Sequence, residues 1–496
     1  MWRLGKVGHK ASRQGTSTHE IRSKWREQEK ELRQAWRERK LVSKRLILND
    51  EDEHLEEIMD RESTEKDVVA LFQNLLQRGP EREAYLKELA VALRNPSAHP
   101  TFIGQVNSMH AVIGFLTGAN ATCRMEAIRC LHELSHSPHP NVALACLPAS
   151  PYLLTFLSGQ SAKFTELCLY TLGNLCPEGD HVKEKLLAQG LVPALAHCIE
   201  NHRHNHLVVE AVGFALFQLL YANDGAEKIT KMVLASSLPL MVISVLTPNR
   251  RFAVAPAIEC AWCLHYLASS VEHGGALLAH GALSQCVALL VALGGVIAKG
   301  KKHEGLELLI CPLLRCVGNL VSSCSTENLS AHVADVRIVV VLSTIVKVYL
   351  QTQPALAKEG AWVLNNLTAH SSTFCSALMT HNLIPGLIIL PFSQDINTMI
   401  MRVIANIVHN KKEFCVQLAH LGLLPALCAT LRMGHHEMVT LSMDVLFMLI
   451  TSAPQVAEAF VRQGGRPHLE AIQCSSEGEV RQKATHLLEH LLPGSA

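Results

Sequence analysis

One short stretch of the sequence matches a known catalytic pattern. His132-Glu133-Leu134-Ser135-His136 has the H-E-x-x-H spacing of zinc proteases, in which two imidazoles one helical turn apart bind zinc and the glutamate is the general base. Pro138 soon ends the helix, and the nearest further ligand candidates are His139 and Glu166. We favour the alternative that this stretch is a repeat helix. The sequence therefore predicts no catalytic residue, no metal and no cofactor here.

Two other groups have residue types that could bind a metal or carry out redox chemistry. Cys260 and Cys263 have the spacing of a redox motif, but no strand precedes them, so two core cysteines are expected. His202, His204 and His206 form a His-rich loop that could bind a metal weakly, with a solvated loop as the alternative. No glycine-rich phosphate loop and no nucleophile elbow occur in the sequence. We therefore predict that the chain is not an enzyme.

The composition favours helices packed on helices. The 496 residues are 48% hydrophobic but only 5% aromatic, which is unlike a β-sandwich. The net charge of +1 gives the whole chain no electrostatic reason to bind nucleic acid. The 16 cysteines lie in apolar stretches without a spaced framework, which predicts reduced thiols in a cytoplasmic or nuclear protein. The first ten residues contain no apolar run, so no cleavable signal peptide is expected.

Similar apolar helix endings recur down the chain, each centred on one polar or aromatic key position. The key positions are Glu133, Asn174, Gln218, Tyr266, Asn319, Asn366, Asn406 and Phe447. Successive key positions are 40 to 53 residues apart, and a period of about 40–47 residues is typical of armadillo and HEAT repeats.

A second landmark has the same phase, because a turn followed by a new apolar helix recurs. It reads GLVPALAHCI, SSLPLMVISVL, GALSQCVALL, NLIPGLIIL and GLLPALCATL, with Gly or Asn ending one helix and Pro fitting the first turn of the next. Single units could not bury their apolar faces, but stacked units can. The sequence thus predicts an all-α, right-handed superhelical solenoid of about nine or ten armadillo-type repeats over residues 63–496.

The last helix of each unit is the candidate binding element. Each key position shares a helix face with the residue four positions before it. Asn side chains there can hold an extended peptide backbone, and an aromatic neighbour can flank a Lys or Arg stem. The pairs are Arg129/Glu133, Tyr170/Asn174, Phe214/Gln218, Trp262/Tyr266, Arg315/Asn319, Trp362/Asn366, Arg402/Asn406 and Met443/Phe447. Helix surface residues without a binding role are the alternative for any single pair.

This array resembles importin-α, the armadillo adaptor family that carries nuclear localisation signals in a groove defined by repeated Trp-x-x-x-Asn pairs. Trp362 and Asn366 reproduce that pair here, whereas the first half of the groove has lost it. Arg315 and Arg402 place positive charge beside the slot that a basic peptide would use. The resemblance implies a cargo groove formed by Tyr170, Asn174, Trp262, Arg315, Asn319, Trp362, Asn366, Arg402 and Asn406.

The N-terminal segment strengthens this resemblance. Residues 1–49 hold 14 Lys and Arg against 5 acidic residues, and Glu31-Leu32-Arg33-Gln34-Ala35 is similar to the helix of the importin-β-binding segment. The resemblance implies that an importin-β-like partner binds this arm through Arg22, Lys24, Arg26, Arg33, Arg37, Arg39, Lys40, Lys44 and Arg45. A solvated helix or a short coiled coil is the alternative. Residues 50–62 would then be an acidic linker.

A second resemblance covers nearly the whole chain. The stretches LVSKRL, CLHELSHS, ELCLYTLGNL and AWCLHY are similar to the family of transmembrane and coiled-coil domain-containing protein six. That family name implies membrane spans, and residues 274–298 carry no charge and are long enough for one. Turns at Gly281 and at Gly294–Gly295 would instead make this segment buried solenoid helices, which we favour.

Together these features predict a non-enzymatic, protein-binding adaptor of the importin-α type with an eroded cargo groove. Its partners would be an importin-β-like receptor and a peptide or protein cargo, and its location would be cytoplasmic and nuclear. An armadillo scaffold unrelated to transport, or a membrane-associated protein, remains the alternative. The sequence does not identify the cargo.

Overall fold

Short helices joined by tight turns make up the whole of the chain that the computed structural model describes, which is residues 65–77, 79–159, 161–221, 226–249, 252–299, 306–324, 329–388 and 394–491. No strand occurs in these ranges. The first helices are α1 (Glu65–Leu76), α2 (Arg82–Ala92), α3 (Ala98–Ile103), α4 (Ser108–Leu116), α5 (Ala121–Ser135), α6 (Pro140–Ala145), α7 (Ser150–Phe156), α8 (Ala162–Leu175), α9 (Asp180–Ala188), α10 (Leu191–His202), α11 (His206–Leu220), α12 (Ala226–Leu234), α13 (Leu238–Val245) and α14 (Val254–Leu267).

The second half of the chain continues the same pattern. Its helices are α15 (Val271–Ala279), α16 (Ala282–Ala298), α17 (Leu306–Ser323), α18 (Leu329–His332), α19 (Ile338–Tyr349), α20 (Pro354–His370), α21 (Ser372–Thr380), α22 (Ile384–Ile388), α23 (Gln394–Asn410), α24 (Cys415–Leu418), α25 (Leu424–Thr430), α26 (His436–Ser452), α27 (Gln455–Arg462), α28 (Gly465–Ser475) and α29 (Gly478–His486). Short 3₁₀ or π segments join some of them.

The turns lie where the sequence pattern predicts them. Gly190, Gly281, Asn382 and Gly422 all have positive φ and lie between two helices of one repeat. A positive φ is sterically unfavourable for most residues. Glycine tolerates it best, and asparagine is among the next most tolerant residues. Local sequence therefore sets the points at which each helix ends.

From α3 onward the described helices form nine triplets, and the last helix of every triplet is the longest or nearly so. The described residues fall into two compact units, an N-terminal unit with α1–α14 and a C-terminal unit with α15–α29. The prediction of an all-α solenoid of armadillo-type repeats is confirmed.

The helices that carry the key positions pack side by side within each unit. We call them the ladder helices: α5, α8, α11 and α14 in the N-terminal unit, and α17, α20, α23 and α26 in the C-terminal unit. Their apolar residues, such as Leu131, Leu172, Leu216 and Leu367, are fully buried. Burying one such side chain contributes about 1.5–3 kcal/mol, so contact with the neighbouring repeat stabilises each ladder helix.

The apolar segment 274–298 is broken once, not twice. Gly281 separates α15 from α16, and the two helices are bent by 68°. The expected turn at Gly294–Gly295 is wrong, because α16 continues through both glycines to Ala298. A Cβ at Gly294 would lie 2.8 Å from Val341 Cγ2, so this glycine allows close packing on α19. The glycine at position 294 is therefore explained by close packing of two helices and not by a turn.

Candidate protein-binding surface

The eight pairs predicted from the repeat pattern each lie on one ladder helix, so one helix of every repeat presents one pair. Within a pair, the spacing of four residues puts both side chains on the same face of the helix. The structure therefore brings pairs of adjacent repeats next to each other within each unit. Their burial and hydrogen bonds differ strongly between positions.

In the first described pairs of the N-terminal unit, polar groups bond within the chain. Arg129 Nη1 donates to Glu126 Oε1 at 2.7 Å. The Asn174 amide donates to Ser135 Oγ at 3.1 Å, across the boundary between α8 and α5. Glu133 is buried. The Asn174 amide thus links two repeats.

Tyr170 lies in acidic surroundings contributed by three successive repeats. Burial, followed by the negative charges of Glu210, Glu166 and Glu259, raises the pKa of the Tyr170 phenol well above its ordinary value. Its ring lies 5.0 Å from that of Phe214, between centroids. Three carboxylates from successive ladder helices thus lie near the Tyr170 phenol.

The aromatic residues of α11 and α14 mostly lie inside the unit. Trp262 is 0% exposed, and Phe214 and Gln218 are buried. A Cβ at Gly173 would lie 2.6 Å from Phe214 Cε1, so the Phe214 ring lies directly on the backbone of α8. Tyr266 is half-buried. Of these four predicted positions, Tyr266 alone offers substantial surface to a ligand.

The same close approach recurs in the C-terminal unit. A Cβ at Gly318 would lie 2.1 Å from Trp362 Cζ3, so the indole of α20 lies against the backbone of α17. Trp362 is only half-buried, unlike Trp262. In both units the glycine directly precedes a key asparagine, in the sequences LGNL and VGNL. This glycine–asparagine sequence marks the place where the aromatic ring of the next repeat packs, and it is a local signal that the key positions alone do not include.

Two asparagine amides of the C-terminal unit link neighbouring repeats. Asn366 Nδ2 donates to Gly318 O and to Ser322 Oγ, both at 3.2 Å. Asn406 Nδ2 lies within hydrogen-bonding distance of Asn365 O, Asn365 Oδ1 and Thr368 Oγ1, at 3.1–3.3 Å. Both side chains are buried. Their donors are therefore used inside the chain.

Asn319 differs from the other two asparagines of this unit. It is half-buried, and its side chain has no hydrogen bond to any of the described residues. Its amide is thus a donor and an acceptor that a ligand can reach. Together with the half-buried indole of Trp362 on the next ladder helix, it forms the most accessible predicted pair of positions in the C-terminal unit.

The two arginines that the sequence placed beside the groove are paired with carboxylates of the following repeat. Arg315 Nε donates to Glu359 Oε1 at 3.2 Å, and both side chains are less than 10% exposed. Arg402 Nη2 donates to Glu437 Oε1, whose side chain is half exposed. The positive charges that would repel a basic peptide are therefore balanced within the chain. The sequence did not reveal these partners, which lie 35 and 44 residues away.

The catalytic-type motifs occupy ordinary positions in the repeat. His132 and Glu133 lie in the last turn of α5, and His136 is its C-cap. Cys263 Sγ donates to Gly213 O at 3.2 Å, and burial raises the pKa of the Cys260 thiol well above its usual range. A redox-active cysteine requires a lowered pKa, so the Cys260 thiol has the opposite property.

The predicted arm falls outside the described residues. This applies to residues 1–49, to the acidic linker 50–62, and to all nine basic residues proposed for the arm, namely Arg22, Lys24, Arg26, Arg33, Arg37, Arg39, Lys40, Lys44 and Arg45.

Two described helical segments have the length and composition of a membrane span. They are Leu306–Ser323, of which 67% is buried in the structure, and Lys412–Thr430, of which 39% is buried. Two bent helix pairs, 227–245 and 272–298, pass the same test when each is taken together. The segment 274–298, which the sequence indicated as long enough for a span, lies in the second of these bent pairs.

Stacked helix triplets with a repeated pair of residues on the last helix define an armadillo-type protein-binding scaffold. The model of the TMCO6 family matches residues 68–492. The chain therefore belongs to the TMCO6 family, as the second resemblance predicted.

Two individual proteins are similar to this chain over half or more of its length. Importin subunit alpha-9 of Arabidopsis thaliana is 26% identical over 249 residues, which cover 50% of this chain and 45% of that protein. The chain thus matches less than half the length of this relative. The crystal structure of an engineered protein matches with a TM-score of 0.65 and 19% identity, covering 86% of this chain and all of the other. This likeness shows the helical repeat fold.

Proposed function

We propose that the protein is a non-enzymatic adaptor that holds a basic segment of another protein on its ladder helices, as the importin-α resemblance implies. The observation that carries this proposal is the accessible pair Asn319 and Trp362 beside two arginines that are already neutralised. A half-buried indole can take a Lys or Arg stem against its ring face. The asparagine amide can both donate to and accept from the peptide backbone.

The charge distribution supports a basic ligand. Glu359 and Glu437 balance Arg315 and Arg402, so no uncompensated positive charge from these arginines adjoins Trp362. In the N-terminal unit, the carboxylates around Tyr170 add negative potential. Complementary charge raises the association rate and selects among partners more than it raises affinity.

The second part of the proposal concerns the N-terminal arm, residues 1–49, and its role in nuclear import. Residues 1–49 would bind an importin-β-like receptor, residues 50–62 would be a linker, and residues 63–496 would form the repeat array. The protein would then act in nuclear protein import, in the cytoplasm and the nucleus. The similarity to an importin subunit over half of the chain supports this assignment.

A second candidate is a scaffold unrelated to transport. It is favoured by the use of Asn366 and Asn406 as links between repeats, because their amide donors are then not available to cargo. Membrane association is the third candidate, and the apolar helix α17 supports it.

Peptide titration tests the cargo site. The full chain is titrated into a fluorescently labelled Lys/Arg-rich peptide, and polarisation is recorded. Asn319→Ala combined with Trp362→Ala should weaken binding by about 5- to 150-fold, since a hydrogen bond and a cation–π contact each contribute about 0.5–1.5 kcal/mol and 1.36 kcal/mol corresponds to tenfold. Tyr152→Ala is the matched control, because this aromatic residue is 44% exposed on α7, which is not a ladder helix.

Two results would reject the basic-cargo proposal. One is equal binding by the double variant and the Tyr152 control. The other is binding of an acidic peptide with no binding of the basic one. Circular dichroism of both variants verifies that the helices remain folded.

A separate pull-down tests the arm. Full-length protein and protein without residues 1–49 are compared for capture of an importin-β-like receptor at low and high salt. Reversal of Arg33, Arg37 and Lys40 to Glu should abolish capture, because their three- and four-residue spacing would put them on one face of a helix formed on binding. Capture that is insensitive to salt and to this triple reversal would favour the coiled-coil alternative.

A further inference from the structure

A pocket of about 470 Å³ opens in the C-terminal unit, outside the ladder positions. It lies between the end of α25, the first turn of α26 and the last turns of α28. Its floor is apolar and buried, formed by Leu431, Val439, Ile472 and Val480. Ligand pockets usually measure about 300–1,000 Å³, so this one has room for one or two side chains of a partner.

The charge of the pocket is one-sided. Among the described residues that line it, those that carry or can carry a charge are Arg432, His436 and His468, all of them basic. Ser475 and Ser476 add hydroxyl donors. No carboxylate belongs to this described lining.

Among the acidic residues close in sequence to the lining, Glu437, Glu470 and Glu479 pair with other side chains, whereas Glu477 is exposed next to Ser476. Glu437, which follows His436, pairs with Arg402 on α23. Glu470 lies two residues after His468 and pairs with Arg466 at 3.0 Å. The basic groups of the pocket are therefore not neutralised by these paired neighbours, and Arg432 and His436 are exposed at its rim.

We propose that this pocket binds an acidic, apolar segment of a partner protein. A Leu-sized side chain fills the apolar floor, and an adjacent Asp or Glu carboxylate meets the Arg432 guanidinium at the rim. Hydrogen bonds between guanidinium and carboxylate are charge-assisted and stronger than neutral ones. The imidazoles of His436 and His468 and the two serine hydroxyls supply further donors. Such a partner is opposite in charge to the basic cargo proposed for the ladder helices, so the scaffold would hold two different segments.

The test uses the full chain and a labelled, N-acetylated tetrapeptide of sequence Glu-Leu-Glu-Leu. Fluorescence polarisation should show saturable binding that weakens as salt is raised, because the contact involves charges. The matching peptides with Lys or Gln in place of Glu should bind at least about tenfold more weakly.

Variants locate the site. Arg432→Glu should reduce affinity for the acidic peptide at least about tenfold, and Ala471→Trp should block the pocket, because Ala471 is exposed in its lining. Arg462→Glu is the matched control, since Arg462 is exposed at the end of α27 and does not line the pocket. All three changes lie at exposed positions, and circular dichroism verifies folding.

Equal binding of the Glu and Lys peptides would overturn the proposal. So would equal loss of affinity in Arg432→Glu and Arg462→Glu, or unchanged binding in Ala471→Trp. The basic-peptide titration with the Asn319 and Trp362 variant is independent of these outcomes, so the failure of one proposal is distinguishable from the failure of the other.

Discussion

The ion pair between Arg315 and Glu359 should be a strong link between two repeats of the C-terminal unit. It joins α17 to α20 at 3.2 Å, and neither side chain is more than 9% exposed. Removing one partner of a buried pair leaves an uncompensated charge and costs about 3–5 kcal/mol. Glu359→Gln should therefore raise the equilibrium constant of unfolding by a factor of about 10²–10⁴, since 1.36 kcal/mol corresponds to tenfold.

The ion pair between Arg402 and Glu437 provides a comparison for the cost of removing one partner. Glu437, the partner of Arg402, is 50% exposed, so solvent screens that pair. Pairs of this kind contribute about 0–1 kcal/mol, and Glu437→Gln should cost correspondingly little. Replacing both members of the buried pair, with Arg315→Met and Glu359→Leu, should recover most of the loss, because apolar residues need no counter-charge.

Denaturant unfolding followed by circular dichroism measures these differences for the three variants. A loss of stability in Glu359→Gln no larger than that in Glu437→Gln would show that the unpaired buried charge costs little. A double apolar replacement as unstable as the single change would show that the cost arises from lost packing and not from an unpaired charge.

Three further outcomes are expected. Gly318→Ala should lower the free energy of unfolding by about 1–3 kcal/mol, because its Cβ would collide with Trp362. A Cβ at Gly295 meets nothing within 4 Å, so Gly295→Ala should be neutral or slightly stabilising. Similar unfolding midpoints for the two variants would contradict the close packing of the Trp362 ring on Gly318. In native protein, a thiol reagent at pH 8 should react first with the exposed Cys474, and Cys474→Ser should remove that fast phase. Buried thiols should stay unreactive, such as that of Cys146, whose pKa burial raises to about 12. Rapid reaction of many thiols would show that the core opens. Because the pKa of Tyr170 is raised in the folded state, the stability associated with its neutral phenol should be complete below about pH 10 and be lost as pH rises further. Tyr170→Phe should therefore make the free energy of unfolding less dependent on pH above about pH 10. An unchanged dependence on pH would argue against the acidic surroundings of Tyr170.

The sequence by itself determined the architecture of this protein. Helix and turn signals are local: glycine and asparagine at Gly190, Gly281, Asn382 and Gly422 end helices because they tolerate positive φ, and the apolar pattern between them has the helical period. These signals recur every 40 to 53 residues, and units of this length can bury their apolar faces only by stacking on neighbouring repeats. The eight key positions lie on eight ladder helices for this reason.

The tertiary structure decided what each of those positions does. Trp262 and Trp362 occupy equivalent places in the repeat, yet one is fully buried and the other half-buried. The Asn366 amide bonds to Gly318 and Ser322, and Arg315 pairs with Glu359, across 44 to 48 residues of sequence. Periodicity gives the direction of a side chain from its own helix, but burial and pairing depend on the shape and charge of the adjacent repeat. Those properties result from packing, and no local pattern encodes them.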